Sequence, residues 1–166
     1  MKFGFLAALV LSAFVFSSCV THKKQIIEEK PVIKDIFSAP DGYVLKARLG
    51  NAELKLAVAN SPKAKEEGLS NKKEIPKDGM IFFFYEPDNL SFWMKDMLFP
   101  IDIIWIADNK VIGIEKNVPV PIAHAKTEDL KIYRSPGKAD IVVELEAGAA
   151  DKLNIAEGSP LEIEMR

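Results

Sequence analysis

Asp102 is the residue whose setting most invites a chemical reading. It is a carboxylate between Ile101 and Ile103, in a run otherwise made of Ile, Trp and Ala, two residues after Pro100. A carboxylate in such surroundings is costly without partners. As a functional group it would be a base or a ligand anchor. As a structural one it would be ionised and accept hydrogen bonds from backbone N–H groups of the Trp93 to Phe99 loop, pinning that loop. The structural reading is preferred, because satisfied buried polar groups far outnumber catalytic ones.

Phe92, Trp93, Lys95 and Asp96 set aromatic faces, a cation and an anion within a few residues of the Pro100 bend. Such a cluster can hold a small polar ligand or a sugar. Alternation would send Trp93 and Lys95 to one side and Met94 to the other, so only part of the cluster can line one pocket. The competing reading is a core methionine, a surface aromatic and an ion pair worth little. Trp93, Lys95, Asp96 and Asp102 are therefore the candidate ligand-binding residues, and none is assigned as catalytic.

Other constellations are weaker. Met80, Met94 and Met97 with His124 suggest soft-ligand copper binding, but methionine packs irregular cores without a metal. No metal or cofactor is expected. Ser135 with His124 lacks the glycine pattern of a nucleophile elbow. Glu144, Glu146, Asp96 and Asp102 could supply the two carboxylates of a glycosidase, yet 24 acidic residues make such pairings easy to find. Zinc patterns, phosphate-binding glycine loops and dinucleotide fingerprints are absent.

Cys19, the single cysteine, answers to different chemistry. Met1-Lys2, the apolar stretch Phe3 to Phe16 and then Ser17-Ser18 read as the n-region, h-region and small residues of a signal peptide. The apolar stretch is shorter than the roughly 20 residues that a spanning helix requires. With no second thiol an intrachain disulfide is impossible. Acylation, in the palmitate-bearing manner of bacterial lipoproteins, is the expected fate of Cys19, and Val15-Phe16-Ser17-Ser18-Cys19 resembles a lipobox, with Phe16 where leucine is usual. The expected organisation is a signal peptide over 1–18, the acylated cysteine and a tether over 19–40, and a single domain over 41–166. The expected location is the cell envelope, lipid-anchored outside the cytosol. A formal charge of −2 provides no basic field, so no nucleic-acid partner is expected.

The elements that must position these residues are short. Val44–Leu49 and Ala52–Ala59 alternate about Gly50-Asn51, a hairpin signal. Ser61-Pro62 reads as a cap and first helical residue, with Gly68 closing a short helix. Met80–Tyr85, Ser91–Lys95, Ile101–Ala107, Lys110–Glu115 (turning at Asp108-Asn109), Ile141–Leu145 and Leu161–Met165 read as strands. Ala147–Leu153 reads as a helical turn. Ile33, Ile36 and Phe37, late in the tether, either dock on the domain or stay free of it. The fold class is mainly β, α+β in detail: a compact antiparallel sheet or small barrel with one or two short helices.

Four stretches carry a resemblance. Glu67-Gly68-Leu69, Gly79 to Phe84, Phe92-Trp93-Met94-Lys95 leading to Pro100 to Ile104, and Val143 to Gly148 are together similar to the family called domain of unknown function 192. That family consists of mostly exported small proteins. Asp96-Met97 stands where the family usually has Asn-Thr, and Glu66-Glu67 and Ser70 replace its usual Arg and Met. The resemblance implies export and a small β-rich fold, with no activity attached. The expected function is a membrane-anchored accessory domain that binds a small ligand or an envelope protein. The alternatives are an envelope hydrolase using Asp102 or Asp96, and a purely structural component.

Overall fold

A computed structural model describes residues 35–123 and 125–164. The expected signal peptide, Cys19, the expected tether as far as Lys34, His124, Met165 and Arg166 lie outside the described residues. Among the described residues nine strands form in chain order: β1 Val44–Leu49, β2 Ala52–Ala59, β3 Gly79–Asp88, β4 Ser91–Trp93, β5 Ile101–Ala107, β6 Lys110–Val118, β7 Ile132–Arg134, β8 Ala139–Glu146 and β9 Leu161–Glu164. Two short helices, α1 Pro62–Glu67 and α2 Ala149–Lys152, join them.

Local chemistry sets the turns. Gly50, at φ 60, opens the β1–β2 loop, and Asp108 and Asn109, at φ 49 and 56, make the β5–β6 turn; these left-handed conformations match the twist of paired strands. The hydroxyl of Ser61 accepts from Ala64 N at 3.1 Å, capping α1 ahead of Pro62.

Seven strands form one sheet in the order β6-β5-β8-β3-β2-β1-β9, and β4 and β7 form a separate two-stranded piece. Its end strands curl toward each other. Val111 N donates to Ser159 O at 3.0 Å, Gly158 N to Val111 O at 2.8 Å and Leu161 N to Asn109 O at 2.8 Å. The sheet is thus a half-barrel whose two edges meet at one point. Its pairings are antiparallel with one exception: β2 and β3 run parallel, because α1 and the following turn carry the chain back between them.

Alternation then divides the core in two. The concave face buries residues from every strand of the large sheet, among them Leu49, Leu56, Ile81, Ile104, Val143 and Leu161. The convex face of β3, β8 and β5 buries Met80, Phe82, Ile103, Trp105 and Val142 beneath β4, β7 and the turn after α1. β8 lies between β3 and β5 and is covered on both sides. Gly79 lets β3 start hard against β8: a Cβ there would come within 2.3 Å of Glu144 O and 2.7 Å of Leu145 Cδ2.

The end of the tether docks. Asp35 Oδ1 accepts from Phe37 N at 3.1 Å, holding a single 3-10 turn over Ile36–Ser38. Phe37 stacks on Tyr85 with ring centroids 4.1 Å apart and meets Phe83 edge-on at 6.4 Å. Of the three residues left open, Ile36 and Phe37 pack on the concave core.

Candidate functional site

The structure separates the residues that the sequence grouped. Asp102 pairs with Leu145 across β5 and β8, whereas its neighbour Ile103 pairs with Glu144, so the two carboxylates project from opposite faces of the sheet. Asp102 is wholly buried on the concave side. Its Oδ1 accepts from Asn117 N at 2.7 Å and Gly148 N at 3.1 Å, and its Oδ2 from Ala150 N at 2.8 Å. These donors belong to the end of β6 and the start of α2, not to the Trp93–Phe99 loop. That loop covers the convex face, which Asp102 does not share. The carboxylate therefore caps α2, whose own N-cap, Gly148, has no side chain to do so.

Trp93 and Lys95 are brought together, with Lys95 Nζ 5.6 Å from the indole centroid. Trp93 is 39% exposed, Lys95 half-buried and Asp96 exposed. Their backbone ties two segments together. Ser70 Oγ donates to Lys95 O at 2.7 Å and Asn71 N to Asp96 O at 2.8 Å. Met80, Met94 and Met97 are buried in the convex core. Ser135 Oγ accepts from Leu90 N at 3.0 Å, holding the chain before β4 against the end of β7.

Glu144 is the residue that sequence reasoning undervalued. On β8 it sits between Met80 of β3 and Ile103 of β5, amid the apolar convex core, and is only 5% exposed. Among the described residues four buried side-chain polar atoms lack a hydrogen-bond partner: Asn60 Oδ1, Trp105 Nε1, Asp140 Oδ1 and Glu144 Oε2. Of these, Glu144 lies at the floor of a cleft of about 300 Å³, walled by α1 and its following turn (Lys65 to Ser70), by Phe82 and Phe84 of β3, and by Ser91 to Trp93 and Met97. Burial pushes its carboxyl up to about 8, because the charged form is poorly solvated there. The group is thus neutral near pH 7, able to donate one hydrogen bond and accept others.

The walls are aromatic. Phe92 lies edge-on to Phe82 at 5.2 Å and to Trp105 at 5.4 Å. Lys65 Nζ stands 4.7 Å from the Phe84 centroid; desolvation lowers its pKa, opposed by the charge of Asp41. A larger groove of about 520 Å³ lies between Met94, the 119–125 loop and Tyr133. Its charged groups, Asp129 and Lys131, are both exposed, and its buried Tyr133 is not among the described side chains with an unpartnered buried polar atom. A signal for Glu144 was present in Ile141–Leu145: apolar residues at every position but one mark a strand covered on both faces, and a glutamate within it must be buried.

Comparison with known proteins agrees with this architecture. The structure is similar to a Sinorhizobium meliloti protein described only provisionally as a transcription regulator, with 30% identity over 75% of this chain and 97% of that one, at a TM-score of 0.64. It shares its fold with a protein of unknown function from Novosphingobium aromaticivorans, at 23% identity, covering 76% of this chain and 95% of that one, at a TM-score of 0.63. No curated protein is significantly similar to the chain. The family model for DUF192, described as "Uncharacterized ACR", matches residues 44–163, and the chain belongs to that family.

Proposed function

We propose that this is a non-catalytic, lipid-anchored envelope protein whose domain binds a small ligand in the cleft over Glu144. The observation that carries this reading is the unpartnered Glu144 Oε2, buried at the floor of a concave, aromatic-walled site. An unsatisfied buried polar atom costs about 1–3 kcal/mol, and a ligand that pairs with it recovers that cost. Small-molecule sites have this composition: apolar walls with a few placed polar groups. Trp93 lines it and Lys95 stands over the Trp93 ring, while Asp96 and Asp102 act through the scaffold. A hydrolase built on Asp96 and Asp102 fits poorly, since both oxygens of Asp102 are engaged by backbone donors on the other face.

The test is a thermal-shift panel of envelope metabolites, glycan fragments, amines and carboxylates on the full chain in detergent. At least one compound should raise the melting temperature by several degrees, because a ligand at 100 times its Kd adds about 2.7 kcal/mol. Trp93→Ala should remove the shift. A panel with no stabilising compound would end the small-ligand reading.

The anchor is a separate claim. Two or three acyl chains on Cys19, at about 0.8 kcal/mol per buried methylene, hold a protein at a membrane without help from its folded part. Cell fractionation should find Cys19→Ala in the soluble fraction with its domain folded. A cleaved variant that stays with the membrane would refute the lipid-only anchor.

A further inference from the structure

We propose that the cleft selects small carboxylates with an apolar body, held by the neutral Glu144 carboxyl as hydrogen-bond donor and by Lys65 as counter-charge, so that binding depends on a proton. This rests on the ligand-binding reading above and names its ligand class.

The polar groups of the cleft point to an anion. Glu144 Oε2 is buried and unpaired, and the strands beside it present Met80, Phe82, Phe84, Ile101, Ile103 and Trp105 on this face. A cation placed there would need Glu144 to ionise among apolar side chains. An anionic oxygen accepts a hydrogen bond from the carboxyl O–H and leaves the neutral form intact. Such a bond, with one partner charged, is about twice as strong as a neutral one.

Of the charged residues that line the cleft beside Glu144, namely Lys65, Glu66 and Glu67, the lysine alone is partly buried. Lys65, from α1, is half-buried against the Phe84 ring, whereas Glu66 and Glu67 beside it are exposed. Glu67 is 3.6 Å from Lys63. From the segment after β4, Lys95 stands over the Trp93 ring. A cationic ligand would have to compete with both lysines for the aromatic faces; an anionic one meets them as partners. From β7, Tyr133 is buried and raised by desolvation and by the charge of Glu115, which pairs with Ile103 from β6 and so shares this face; the phenol does not charge near neutrality. The cleft is about 300 Å³, at the small end of ligand sites, so it suits one ring or a short alkyl chain against Phe84, Phe92 and Trp93.

The sign with pH follows from the donor. Glu144 must keep its proton to donate, and burial holds its pKa at about 8. Affinity for a carboxylate should be constant below that value and fall above it, by about tenfold between pH 7 and pH 9. Loss of the Lys65 charge acts in the same direction. Glu144→Gln separates the two: its amide N–H still donates but does not titrate.

Isothermal titration of the full chain in detergent with phenylacetate, phenylacetamide and phenethylamine tests this, since the three share a body and differ in charge. Phenylacetate should bind best at pH 6 to 7 and lose about tenfold by pH 9. Glu144→Gln should keep most of the pH 7 affinity and flatten that loss. Lys65→Gln should weaken phenylacetate several-fold while leaving phenylacetamide unchanged. If phenethylamine binds more tightly, with affinity rising as pH rises, the cleft is a cation site and the proposal is overturned while the ligand-binding reading stands. The proposal is likewise overturned, and that reading kept, if all three fail but a sugar from the thermal-shift panel binds. If nothing in either set binds, both fall together.

Discussion

Asp102→Ala is expected to lower the stability of the domain by about 3–4 kcal/mol, with the melting temperature falling by about 10 °C. The wild-type carboxylate accepts from three backbone N–H groups, those of Asn117, Gly148 and Ala150. Alanine leaves all three without their partner, and each unpaired buried donor costs about 1–3 kcal/mol. The total falls short of three full penalties because the space vacated beside α2 can admit water. Asp102→Asn should lie in between. Its one carbonyl oxygen can still serve Asn117 and Gly148, but the amide N–H₂ then faces the Ala150 N–H, donor against donor. Guanidinium denaturation of the three proteins measures this directly. A loss below about 1 kcal/mol for alanine would mean that α2 is held mainly by the packing of Ala150 and Leu153. Because the cleft opens on the other face, Asp102→Asn should bind any ligand of the cleft normally below its melting temperature.

The contrast between Asp102 and Glu144 shows how far the sequence reaches. Local signals are legible: β1, β2 and β5 begin and end where alternation and the Gly50 and Asp108-Asn109 turns put them. Ser61, Pro62 and Gly68 bound α1 for the reasons that cap and proline chemistry supply. Beyond this range the pattern is silent. β7 has only three residues, Ile132–Arg134, too few for a period of two to stand out. The parallel step from β2 to β3 depends on where the α1 segment crosses, which no run of residues encodes. The preference for a structural Asp102 rested on satisfied buried polar groups being far commoner than catalytic ones, and its partners are indeed backbone N–H groups. Which ones they are depended on the face of the sheet. A carboxylate in an apolar strand declares its burial but not its neighbours, so Asp102 and Glu144 read alike in sequence although one is saturated and the other unpaired.

That difference has its largest consequence in the pH dependence of stability, where Glu144→Gln should be a stabilising substitution. In the unfolded chain the carboxyl titrates near 4.5, and in the folded domain burial raises it to about 8. Between these values the folded form retains a proton that the unfolded form has released. Stability therefore falls as pH rises through the window. The contribution is fully present below pH 4.5, is reduced by about 3 kcal/mol at pH 7 and by about 4 kcal/mol at pH 8. Glutamine matches the neutral carboxyl in shape and does not ionise, so the variant should equal wild type near pH 4.5 and exceed it by those amounts at pH 7 and 8. Asp140, which desolvation also raises, bends both curves alike, so the difference between the two proteins isolates Glu144. Chemical denaturation at several pH values gives that difference. A constant offset across the range would mean that Glu144 stays ionised and finds a partner. A residue that costs the fold about 3 kcal/mol at neutral pH, where glutamine would not, gives the proposed ligand site its physical reason: a bound ligand that pairs with the buried oxygen would recover part of that cost.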